Sequence, residues 1–72
     1  MTQTTAERVA GTVRAEMARS RVSNATLKDA LNLSYPAVAR RLSGDVPFDV
    51  DELAVIADLL NVTAASLIED AA

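Results

Sequence analysis

Four times in this chain of 72 residues, a side chain able to cap a helix is preceded by one hydrophobic residue and followed by another at the fourth helical position. The pairs are Val22 and Leu27 around Ser23, Leu33 and Val38 around Ser34, Phe48 and Leu53 around Asp49, and Val62 and Leu67 around Thr63. This is the spacing of a hydrophobic staple, in which the residue before the cap packs on the first turn and fixes the angle of the incoming chain. Two starts also carry a capping box, Thr4 with Glu7 and Asp49 with Glu52, so that cap and third helical residue satisfy each other's backbone N–H groups. A chain with so many marked starts has room only for short helices.

The apolar spacing fills those helices in. Ala6, Val9, Ala10, Val13 and Met17 recur at helical intervals, as do Leu27, Ala30 and Leu31, then Val38 and Leu42, then Leu53, Ile56, Ala57 and Leu60, then Leu67 and Ile68. The pattern predicts helices over about 5–20, 24–31, 35–42, 50–60 and 64–69. Between the second and third stands only Asn32-Leu33 before the next cap, and Asn tolerates the left-handed conformation that redirects a chain sharply. Pro36 falls in a first turn, where its missing N–H is harmless. Gly44 suits a helix C-terminus, and Pro47 breaks the chain again. The expectation is one all-α domain over residues 1–72.

The composition removes whole classes of chemistry. With no Cys there is no disulfide or thiolate site, and with no His the commonest general base and metal ligand are gone. Asp49, Asp51 and Glu52 are the one cluster of acids that invites a catalytic or Mg²⁺ reading, but they stand where carboxylates favour a helix N-terminus. The expectation is therefore no enzyme, no catalytic residue, no cofactor and no metal. No apolar run approaches the roughly 20 residues that cross a bilayer, and no signal peptide opens the sequence. The expected compartment is the cytoplasm, on the nucleoid when DNA is bound.

Charge is distributed unevenly. Residues 1–41 hold all seven bases against three acids, a net of +4, and residues 42–72 hold seven acids and no base, a net of −7. A positive half facing phosphate and a negative half facing away fits a DNA binder better than the overall charge of −3 implies. Ordinary solvated helix faces give the same counts. Two short helices joined by a tight turn are also the plan of a helix-turn-helix, whose second helix enters the major groove.

The stretch Ser23–Gly44, SNATLKDALNLSYPAVARRLSG, resembles the helix-turn-helix of lambda-repressor-like and Cro-like phage regulators. Phe48 through Leu67 resembles that family's fourth and fifth helices, so the likeness runs from about Ser20 to Ile68. It implies a compact five-helix DNA-binding domain with the helix-turn-helix in helices 2 and 3. Such a domain acts as a transcriptional regulator, most often a repressor dimerised on a palindromic operator. Two positions depart from the family, Lys28 where a small residue is usual and Asn32 where Gly is usual. Carried across, the family's roles give Tyr35, Pro36 and Arg40 to base reading, and Asn24 and Ser43 to the DNA backbone.

The residues themselves support part of this assignment. Positions 36 and 40 are one turn apart on a face opposite Val38 and Leu42. Arg40 can grip a guanine with two hydrogen bonds, while Pro36 and Ala37 can offer only apolar contact, for instance to a thymine methyl. Arg19, Arg21, Lys28 and Arg41 are phosphate-contact candidates, each of which can equally be a solvated charge. Tyr35 can touch DNA or half-bury its ring on a neighbouring helix. Leu67 and Ile68 admit two readings, an apolar strip for a homodimer or part of the domain's own core. The competing function is a protein-interaction module of the same fold, antitoxin-like or anti-repressor, whose acidic half would suit a basic partner.

Overall fold

The computed structural model describes residues 2–69; Asp70, counted among the acids above, lies outside them. Five helices form, α1 (Thr5–Ser20), α2 (Asn24–Leu31), α3 (Tyr35–Ser43), α4 (Val50–Leu60) and α5 (Ala64–Glu69). The all-α expectation holds, and α3 runs one residue past its predicted end. The body measures 32 × 24 × 21 Å. Its centre is held by Val13, Leu27, Val38, Ile56 and Leu67, one from each helix and all essentially inaccessible. Burying side chains of this size contributes roughly 1.5–3 kcal/mol each.

Every predicted start is capped as its residues imply. Thr4 Oγ1 accepts the Glu7 N–H at 3.1 Å while Glu7 Oε1 accepts the Thr4 N–H at 2.8 Å. Asp49 and Glu52 exchange the same pair of bonds at 2.7 and 2.9 Å. Ser23, Ser34 and Thr63 each accept a backbone N–H three residues on, from Thr26, Ala37 and Ser66. The four residues preceding the stapled caps, Val22, Leu33, Phe48 and Val62, all pack on the core, and their partners Leu27, Val38, Leu53 and Leu67 are buried in it.

Three of the four connections turn out to be one device used repeatedly. Arg21, Asn32 and Asn61 all adopt left-handed backbone, with φ of 56°, 55° and 56°. The next residue then donates back across the last turn, Val22 to Met17 O, Leu33 to Lys28 O and Val62 to Ala57 O, at 2.9–3.0 Å. That closes the orphan carbonyls of the helix end. The same hydrophobic residue is also the staple of the following helix, so three residues end one helix and aim the next. Asn32 was legible as such a turn. Arg21 was not, since an Arg in this conformation costs roughly 1–2 kcal/mol that only its surroundings repay.

Glu7 carries one consequence for pH. The backbone N–H of Thr4, and then its hydroxyl, hold the carboxylate below its ordinary value of 4.5, against a weak opposing effect of desolvation. A lowered acid contributes stability that is complete above the ordinary carboxylate range and disappears as pH falls through the lowered value. Acid titration followed by circular dichroism is expected to destabilise the protein more steeply than its Glu7→Gln variant. The two curves should converge once both side chains are neutral.

Candidate nucleic-acid interface

α2 and α3 are joined by Asn32, Leu33 and Ser34 alone and pack on each other, so the two short helices and tight turn expected from the sequence are present. Val38 and Leu42 turn α3 inward, at 1% and 7% exposure, where it packs mainly on α1. Opposite them Tyr35, Pro36, Ala39 and Arg40 form an outward stripe that ends at Ser43. Tyr35 is 56% exposed. Ala37, expected on the reading face with Pro36, is half-buried behind its cap, and Ala39 takes that place on the stripe. The i, i+3 and i+4 spacing from Tyr35 and Pro36 was the signal that would have found it.

The remaining candidates lie at the edges of this stripe. Asn24, the first residue of α2, and Ser43, the last of α3, line one open groove with Ala39, Ala18 and Val22. The two positions expected to hold the DNA backbone thus flank the outward face of α3. Arg14, given no role from the sequence, lines the same groove and donates from Nη1 to the Leu42 carbonyl. An α1 side chain thereby satisfies a carbonyl at the free end of α3, a contact across 28 residues that no local pattern announces.

Hydrogen bonding sorts the basic residues. Arg19 pairs with Glu16 one turn away, its Nε at 3.0 Å. Lys28 reaches Asp29 Oδ1 at 3.3 Å and stands over the Tyr35 ring, 5.3 Å from its centre. Exposed pairs of this kind are worth about 0–1 kcal/mol, so Arg19 remains available to a phosphate. Arg41, expected at the DNA backbone, is instead committed within the protein. Its Nε donates to both oxygens of Glu52 at 3.0 and 3.1 Å, and its Nη1 donates to Ala37 O at 3.1 Å. The pair is largely covered, at 19% and 13% side-chain exposure. Glu52 therefore both closes the α4 capping box and ties α3 to α4. Among the described residues, the Arg21 and Arg40 side chains are exposed and make neither an ion pair nor a hydrogen bond.

Of the two dimer candidates, Leu67 is fully buried in the domain's own core, and Ile68 faces outward at 47% exposure. Asp49 and Glu52 are engaged as helix caps, which accounts for two of the three clustered acids. No helix among the described residues is long and apolar enough to cross a membrane.

Compared with models of known protein families, the chain matches the BetR domain over residues 1–72. The chain belongs to the BetR domain family. BetR domains are small helical domains associated with regulators of helix-turn-helix type, and the α2–turn–α3 unit is the part of this one that has that form. No curated protein and no solved structure matches the chain. What the site can do therefore follows from its own geometry. In this BetR domain that geometry is a helix covered on one side by the core and bearing on the other the Arg40 guanidinium, which bonds to no described residue.

Proposed function

We propose that this BetR domain binds double-stranded DNA sequence-specifically by laying α3 in the major groove, and that it acts as a transcriptional regulator in the cytoplasm. The observation that carries the reading is Arg40. It stands on the outward stripe of the second helix of a helix-turn-helix, exposed, with its guanidinium bonded to no described residue. That is the state from which a bidentate contact to guanine costs least, because no existing bond must break. Tyr35, Pro36 and Ala39 share the stripe, Asn24 and Ser43 flank it, and Arg19 and Arg21 supply charge for phosphate.

The mode of action follows the same line. A domain of this size that binds DNA can regulate by occupying a site, so a phage-type repressor on a palindromic operator is the reading we favour. Homodimerisation would use Ile68, which borders an apolar groove of about 310 Å³ lined by Ala6, Val9, Phe48 and Leu53.

Selection from randomised duplex DNA at two salt concentrations tests this. A recovered motif establishes sequence-specific binding. Two half-sites about one helical turn apart, roughly 34–36 Å, would report a dimer. The logarithm of affinity should fall with that of salt by roughly 0.9 per neutralised phosphate. Recovery of no motif, with binding weaker than the ~10⁻⁴–10⁻⁶ M of non-specific contact, would overturn the reading. A protein-interaction module, antitoxin-like or anti-repressor, would take its place.

A further inference from the structure

We infer that Lys28 is a positioning residue for Tyr35, and that it acts on base preference through that ring rather than by contacting phosphate. The inference rests on the DNA-binding reading above. Lys28 lies on α2 and Tyr35 opens α3, so the contact spans the turn of the helix-turn-helix. The ammonium stands 5.3 Å from the ring centre, within the roughly 6 Å over which a ring face attracts a cation. Asp29 Oδ1 holds the same ammonium from another side at 3.3 Å. The Lys28 side chain is only 29% exposed, so its stem lies along the protein surface and delivers the charge to the ring.

Tyr35 needs such a brace. With 56% of its surface exposed, it has little packing to select among its rotamers. A phenol that must read a base edge from the first turn of α3 loses affinity for each orientation it has to give up on binding. A cation fixed over the ring settles that orientation in the free protein. The charge at position 28 is already shared between a carboxylate and a ring, in contrast to Arg21 and Arg40, whose side chains are unengaged among the described residues.

Three variants separate the two roles. Lys28→Met keeps the stem and removes the charge, Lys28→Arg keeps a cation over the ring, and Tyr35→Leu removes the ring. Each is titrated with the selected duplex, and with single-base substitutions of it, at several salt concentrations. Lys28→Met is expected to reduce discrimination roughly two- to fivefold at the base position that Tyr35→Leu also relaxes, and to leave the salt slope unchanged. Lys28→Arg should restore that discrimination, and the double variant should be no worse than Tyr35→Leu, since the pair acts as a unit.

A uniform loss across all sequences, with a salt slope smaller by about 0.9, would make Lys28 a phosphate contact and overturn the inference. So would a Lys28→Met variant indistinguishable from the parent. In the free protein, the Lys28 ε-protons should be displaced upfield by the ring and return in Tyr35→Leu; the absence of that displacement would remove the brace itself. Should the parent protein select no motif, the DNA-binding reading fails together with the specificity role, whereas the proton shift reports on the brace alone.

Discussion

Replacing Gly44 with alanine is expected to lower the melting temperature by roughly 8–40 °C, about 2–5 kcal/mol at the 4–8 °C per kcal/mol of a domain this small. Two costs combine. Gly44 ends α3 at φ 87°, a conformation that charges an L side chain roughly 1–2 kcal/mol. A Cβ there would also stand 2.7 Å from both Cα and Cγ of Glu7. The Cα is backbone of α1 and the Cγ belongs to the capping side chain, so neither can move aside without disturbing the bonds by which Glu7 and Thr4 cap the helix. Forcing atoms into a packed site costs typically 1–3 kcal/mol. Gly44→Asn divides the two contributions, since Asn accepts left-handed backbone but still brings a Cβ. It should recover part of the loss and not all of it. Gly11 gives the opposite sign. It lies inside α1, and a Cβ there meets only the tip of Arg14 at 3.6 Å, so Gly11→Ala should stabilise by about 0.5–1 kcal/mol. Thermal unfolding of the three variants checks the set. A Gly44→Ala variant as stable as the parent would mean that α3 does not end against α1 in this way.

Gly44 also marks how far the sequence could be read. Helix starts were legible because caps and staples are local: Ser23, Ser34, Asp49 and Thr63 announce themselves within four residues, and each start falls where its cap put it. The end of α3 at Gly44 was legible for the same reason, since a glycine suits left-handed backbone. What the glycine touches was not, because Glu7 is 37 residues away and only tertiary packing brings them together. The site divides along the same line. The stripe of Tyr35, Pro36 and Arg40 follows from helical spacing, and it stands exposed as that spacing implies. The commitment of Arg14 to the Leu42 carbonyl depends on how α3 packs against α1, and that of Arg41 to Glu52 on where the tertiary fold sets the start of α4. Helical spacing separates Arg40, on the stripe, from Arg41, off it, but nothing near them in the sequence announces that Arg41 is tied down by Glu52.

That difference makes Arg40→Ala the sharpest probe of the proposed function. Because the Arg40 side chain is exposed and bonded to no described residue, its loss should leave stability within about 0.5 kcal/mol of the parent, as surface changes usually do. Its effect on DNA should be large and confined to one base position per half-site. Losing a bidentate contact to guanine removes about 1–3 kcal/mol of discrimination, roughly 5- to 150-fold, and a dimer would lose it twice per operator. The affinity for unrelated DNA should scarcely change. Arg41→Ala is expected to behave in the reverse way. It leaves Glu52 largely covered without its cation and strips the bond to Ala37 O, so it should lower stability while keeping the base preference of whatever remains folded. Binding titrations on the selected duplex and its single-base variants, set beside melting curves for both proteins, separate the two. A uniform loss for Arg40→Ala across all sequences, with a shallower salt dependence, would move Arg40 from the bases to the phosphates. If Arg40→Ala instead lost stability and Arg41→Ala lost base preference, the face of α3 turned toward DNA would be the other one, and the stripe from Tyr35 to Ser43 would have to give up the reading role.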